Sequence, residues 1–306
     1  MPTTAKTKPF KTFDEQLDIM ISRGLIVKNR ELAVKTMQHI NYYRMSAYSL
    51  TLRKDDIFYT GITFENILEL YQFDAGFRSI ILKYVNNVEN AFRTYIAHYH
   101  SEKYGPLGYL NGNNFENEWY HGKFLSKLSS LIGRSDDVFI AHHKNDLNGV
   151  YPFWVAIEVT TFDVLSKLYK NLLEEDRTYI AKSYCSVHRE YVENWLQHAV
   201  VARNISAHGG RFYNRQFNSC KIKLPTALRS VVGLSTPFSF VFAIFRLLPN
   251  NELRMQFIID LENLFSNYPF ALKRHMGFPE NWNDVLISQI KLDCEKTSDL
   301  NCLPST

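Results

Sequence analysis

The sequence predicts an all-α fold, and three observations carry that expectation. Apolar residues recur at helical spacing along most of the 306-residue chain. No segment alternates apolar and polar residues between hairpin signals. Capping threonines with an acidic or amide residue three positions on, Thr12 with Glu15 and Thr63 with Asn66, stand at the head of periodic runs. The 22 Phe and 18 Tyr argue against disorder, and the length suffices for a sizeable core. A net charge of +4 permits a local basic patch without the strong bias of a protein that coats nucleic acid.

In chain order, residues 1–9 read as a flexible basic arm. Thr12 opens a short helix over 12–20, stopped at Arg23-Gly24, and residues 29–40 form a second; the two make a small antiparallel pair within an N-terminal helical extension over 10–62. Tyr42, Tyr43, Arg44 and Tyr48 then cluster. Such a cluster most often wedges its rings into the core with hydroxyls at the edge, although exposed tyrosines and a guanidinium also suit base stacking and phosphate contact. From Thr63 the longest helix follows Phe64, Ile67, Leu68, Tyr71, Ile81, Val85, Val88, Phe92, Tyr95 and Tyr99 almost to His100. It carries Arg93-x4-His98, whose two ends point apart on a helix; with Glu89 one turn back, Arg93 reads first as an ion-pair partner, and second as a lining residue of a substrate path.

Residues 103–114 are turn-rich and mark a surface connection. Helical periodicity resumes over 115–131, and 135–150 reads as polar loop, where His142-His143 and Asp146 are solvated side chains rather than a metal site. Pro152 sits at the first turn of a helix whose buried stripe is Val155, Val159, Phe162, Leu165 and Leu168. Further helices are expected over 174–184, 189–208, 225–232, 238–248, 252–265 and 282–292, making one domain over 10–292 with a frayed tail over 293–306. The four cysteines are scattered with no CxxC pair. No signal peptide or uninterrupted apolar run of about 18 residues is present, so no membrane association is expected and the chain should be cytoplasmic. Neither a phosphate loop nor a dinucleotide fingerprint occurs, and no cofactor or metal is expected.

The unusual chemistry lies in Arg203-Asn204-Ile205-Ser206-Ala207-His208, followed by Gly209-Gly210. A cation, a carboxamide and an imidazole fall within six residues at the end of a helix whose buried face is Tyr191, Trp195, Ala199 and Ala202. Asn204 and His208 lie about 40° apart around the axis, whereas Arg203 and His208 diverge by about 140°. Either the last turn distorts near the glycines, or a working site combines two copies of the segment, which is the preferred reading. The bland alternative is a helix end where a cation and a histidine offset the dipole. Arg211, Tyr213 and Arg215 follow directly and suit a polyanion.

Arg203-Asn204-x3-His208 resembles the Arg-x4-His signature of HEPN ribonucleases, and the wider chain resembles the Abi-like (AbiD/AbiF) abortive-infection proteins of bacteria. The blocks that carry the resemblance are Lys8-Pro-Phe, Phe13-Asp-Glu-Gln-Leu, Ile40-Asn-Tyr-Tyr-Arg-Met-Ser-Ala-Tyr48, Phe73-Asp74, Glu89-Asn-Ala-Phe-Arg93, Lys103-Tyr-Gly-Pro106, Pro152-Phe-Trp154 and the segment from Arg203 to Arg215. The resemblance implies a HEPN-like helical bundle with additional C-terminal helices, and a metal-independent endoribonuclease acting as a phage-defence toxin. It also implies a homodimer with RNA as its partner, tRNA or a small non-coding RNA among the candidates, and leaves room for an antitoxin RNA or protein.

Under that reading His208 supplies proton transfer, Arg203 holds the phosphate by its planar fork, and Asn204 orients His208 or binds the scissile phosphate. Tyr43, Arg44, Arg93, Arg211, Tyr213 and Arg215 are the candidate substrate contacts. Two alternatives stand beside it. One is a protein that grips a structured or small RNA with little cleavage of its own; the other is a helical dimerisation module without catalysis.

Overall fold

The computed structural model describes residues 7–297, which fold as thirteen α-helices and a single two-stranded hairpin. Expectations for residues 1–6 of the arm and 298–306 of the tail lie outside the described residues. Helix α1 (Phe13–Ser22) opens on the Thr12/Glu15 capping box and packs on α2 (Arg30–His39), where Arg30 reaches Asp14 and Asp18 at 3.0 and 2.7 Å. After α3 (Tyr42–Tyr48) comes a hairpin that the sequence reading missed, Arg53–Lys54 paired with Ile57–Phe58. Its turn residues Asp55 and Asp56 both take positive φ, the conformation a two-residue hairpin turn requires.

Helix α4 (Phe64–Tyr104) is the spine. Its 41 residues run about 60 Å, and it buries Phe64, Ile67, Leu70, Phe77, Ile81, Val85, Val88, Phe92 and Ile96 along one stripe. Helix α5 (Glu118–Ile132) follows, and then α6 (Val138–Asp146) occupies a stretch expected to be loop. Only Ile140 of α6 is buried, so the helix has no apolar stripe to announce it. In it His142 pairs with Asp146 at 2.8 Å, as i and i+4 neighbours on one face.

The single helix expected from Pro152 is divided. Helix α7 (Phe153–Ala156) passes into a 3₁₀ turn over Ile157–Val159, Thr160 and Thr161 turn extended, and α8 (Phe162–Asn171) restarts with Thr161 as its N-cap. Two adjacent threonines, the second able to bond the N–H of Val164, favour a new cap over a continuous helix. Helices α9 (Glu174–Cys185) and α10 (Arg189–Ala207) come next. The helix expected over 225–232 is only a 3₁₀ turn at Thr226–Leu228.

Helix α11 (Pro237–Leu247) is buried at all eleven positions and packs on α10 and α4. Around these three lie α12 (Asn251–Asn267) against α4, and α13 (Trp282–Thr297) against α11 and α12. The last helix does not stop at residue 292. Asp293 is buried and pairs with Arg246 on α11 and Arg254 on α12 at 2.7 and 2.9 Å, which ties this turn to the core instead of leaving it frayed. No helix among the described residues is long and apolar enough to cross a membrane.

Near the far end of α4, Lys103 and the hydroxyls of Tyr99 and Tyr104 all bond the buried Asp176 of α9, giving the Lys103-Tyr104 block a structural role. Beside them His100 is fully buried among Tyr104, Phe115 and Phe153, and neither ring nitrogen has a hydrogen-bond partner. Burial pulls its pKa down to about 4. An unfolded chain would protonate this imidazole near pH 6.5, so the folded state binds fewer protons between those values. Stability is therefore full above pH 6.5 and falls by about 3 kcal/mol as the pH drops to about 4. Between pH 6.5 and about 4 the stability of wild type relative to His100→Leu, from urea unfolding, should fall by about 3 kcal/mol, and parallel curves would refute the assignment.

Candidate functional site

Helix α10 places the Arg203 to His208 segment by burying everything else around it. Val192, Trp195, Leu196, Ala199 and Ala202 face the core, and the Trp195 indole donates to the Lys223 carbonyl at 2.9 Å. The α-helical bonding pattern persists to the end, since the His208 N–H donates to the Asn204 carbonyl at 3.1 Å. The helix is regular to Ala207 and His208 is its C-cap at φ −92°, ψ 13°, so the divergence of Arg203 from His208 follows approximately from helix geometry.

The helix then closes in a Schellman motif. Gly209 takes φ +64, its N–H donates to Ser206, and the Gly210 N–H donates to Ile205 at 2.7 Å. Gly209 is needed for its left-handed backbone. Gly210 is needed for space, because a Cβ there would lie 2.8 Å from the Ile205 side chain and 3.1 Å from its carbonyl oxygen.

Arg203, Asn204 and His208 are all exposed. Arg203 Nη1 approaches Asn204 Oδ1 at 3.3 Å, and the His208 ring has no hydrogen-bond partner among the described residues. None of the three is spent on holding the fold. A carboxylate lies behind Arg203: Glu89 on α4 pairs with Arg93 and also feels the Arg203 charge. Burial pushes the Glu89 carboxyl above its ordinary range against the pull of both cations.

The loop beyond the helix is pinned from beneath by Asp74. This fully buried carboxylate accepts from the Tyr48 hydroxyl at 2.7 Å, from Arg78 at 2.7 Å, and from the backbone N–H groups of Phe212 and Tyr213 at 3.1 and 2.8 Å. Burial pushes its pKa up, yet every contact is a donor, and that set holds an anion. Arg44 adds a second clamp, its Nη1 donating to the Gly209 carbonyl at 2.7 Å. Tyr48, Arg44 and Asp74 thus fix the segment following His208 from two separate helices.

The other candidates divide. Tyr43 is 67% exposed and Arg215 is exposed, stacked over Phe217 at 4.8 Å. Arg44 is exposed but already bonded to Gly209. Arg211 is half-buried, with Nη1 on the carbonyls of Tyr213 and Asn214, where it braces the loop. Arg93 is held by Glu89, Asn90 and the Thr160 carbonyl. Tyr213 is a core residue at 1% exposure, its ring against Phe73 and His275, with no face to offer a base. Asp74 and Arg78 are the contributors that sequence reasoning left without a role, whereas the Glu89/Arg93 pair is the one it expected. The i, i+4 spacing of Asp74 and Arg78 on the long helix was the signal for them.

An all-α bundle with this exposed Arg-Asn-x3-His helix end defines the class of the molecule. The chain belongs to the family of Abi-like proteins, whose model matches residues 35–214, from α2 through the pinned loop. Membership suggests a part in abortive-infection defence against phage. No curated protein and no solved structure matches the chain.

Proposed function

We propose that the protein is a metal-independent RNA endonuclease of the HEPN type that acts in phage defence. The observation that carries this reading is the last turn of α10, where a cation, a carboxamide and an imidazole stand exposed and unused by the fold on a rigidly clamped helix end. His208 removes the proton of an RNA 2′-hydroxyl. The 2′-oxygen bonds to phosphorus, Arg203 stabilises the charged pentacoordinate state through its fork of N–H donors, and the P–O5′ bond breaks. The departing oxygen takes a proton from water, leaving a 2′,3′-cyclic phosphate and a 5′-hydroxyl. Asn204, in contact with Arg203, orients that guanidinium on the phosphate.

Because Arg203 and His208 diverge on one regular helix, the working site pairs Arg203 of one copy with His208 of a second across a two-fold axis. Purified protein with RNA in excess EDTA should yield cyclic-phosphate ends; a requirement for magnesium, or 5′-phosphate products, would sink the mechanism. Mixing inactive Arg203→Ala and His208→Ala proteins tests the dimer. Half of the dimers are mixed and each has one intact composite site, so about a quarter of wild-type activity should return. No recovery after subunit exchange would place both groups in a single chain.

A further inference from the structure

Beside α3, the arm, α1 and the hairpin enclose a groove of about 560 Å³. Its wall on α3 is Asn41, Tyr42, Tyr43 and Ser46, and its other walls include Lys8, Phe10 and Lys11. Tyr43 is 67% and Phe10 89% exposed, large rings that nothing in the chain covers among the described residues. Tyr42 supports Tyr43 edge-on at 5.5 Å. Lys8 and Lys11 are exposed and make no ion pair among the described residues, whereas the groove's acid, Asp56, is neutralised by Arg23 at 3.1 Å and by Arg53 at 2.5 Å. The walls are therefore open aromatic faces beside a lining of net positive charge.

The groove is also fixed relative to the motif. Tyr43 and Arg44 are consecutive on α3, and Arg44 holds the Gly209 carbonyl next to His208. Anything lying along Tyr43 extends from the neighbourhood of the candidate phosphate site.

We propose that this groove binds single-stranded RNA, taking the nucleotides that flank the cleaved phosphate. Bases stack on Tyr43 and Phe10, and Lys8 and Lys11 meet the backbone phosphates. A duplex keeps its bases stacked on one another and offers these rings nothing. The proposal rests on the ribonuclease reading for the direction of the strand, but the groove's affinity is measurable without cleavage.

The test uses the full chain carrying His208→Ala, so that the probe survives, and a fluorescent single-stranded 12-mer oligoribonucleotide beside a duplex of the same sequence. Adding Phe10→Ala and Tyr43→Ala should raise Kd for the single strand at least about tenfold and change the duplex Kd by less than about twofold. Adding Lys8→Ala and Lys11→Ala should lower the salt slope by about 1.4. Single-strand affinity that survives the ring substitutions, equal losses on duplex and single strand, or no binding of the single strand before any groove change would each overturn the groove. Ring-dependent binding in a protein whose wild type never cleaves would support the groove while removing the nuclease.

Discussion

Replacing His208 with alanine is expected to slow RNA cleavage by about 10²- to 10⁴-fold, the usual cost of deleting a general base. The fold should not register the change, because His208 is exposed and its ring bonds nothing among the described residues. An effect of about 0.5 kcal/mol on unfolding is the expected scale for such a surface position, with about 1 kcal/mol as the ceiling for a cation at a helix end. Those magnitudes separate the two uses of a histidine here. A residue that only offsets the helix dipole would alter the urea midpoint and leave the single-turnover rate within a few-fold of wild type. Arg203→Ala should match the rate loss. Arg203→Lys should recover part of it, since charge is kept and the planar fork is lost.

The helix end that carries the candidate site was legible because it is local. Six consecutive residues and two glycines specify a helix, its stop and three exposed groups, and the structure returns each of them. The long spine was equally readable, because Phe64 to Ile96 repeats one periodic stripe behind a capping box. Helix α6 escaped for the opposite reason, with one buried side chain and therefore no period to detect. The stretch over 225–232 erred in the other direction. Leu228, Val231 and Val232 are spaced like a helix, yet the backbone makes only a short 3₁₀ segment followed by a turn at Leu228, which shows how little a short apolar run commits the chain.

Side-chain direction after the helix was not legible. Arg211, Tyr213 and Arg215 look alike as polyanion contacts in the sequence, but in an irregular loop no period says which face is buried. Tyr213 fills the core, Arg211 braces the loop, and only Arg215 of the three is exposed. What sorts them is Asp74, more than 130 residues earlier. It is a contact no local pattern encodes.

Asp74→Ala is expected to be the most destabilising single change in this region, by about 3–5 kcal/mol. The substitution removes the acceptor from four donors at once: the Tyr48 hydroxyl, the Arg78 guanidinium and the N–H groups of Phe212 and Tyr213. The Arg78 side chain, only 10% exposed, would then be a buried charge whose remaining bonds are long ones, to Tyr48 and the Gly210 carbonyl at 3.5 and 3.4 Å. Most of the cost is that stranded cation. Pairing Asp74→Leu with Arg78→Met should therefore recover much of the stability, because two apolar side chains replace a charge pair at similar volume. It should not recover activity to the same extent, since the N–H groups of Phe212 and Tyr213 still lack their acceptor and the loop that clamps the His208 end stays loose. Urea unfolding and single-turnover cleavage on the same three proteins decide the matter. Asp74→Ala within about 1 kcal/mol of wild type would show that the carboxylate anchors nothing. A double variant restored in both stability and rate would show that the anchor serves the fold alone and that His208 does not depend on it.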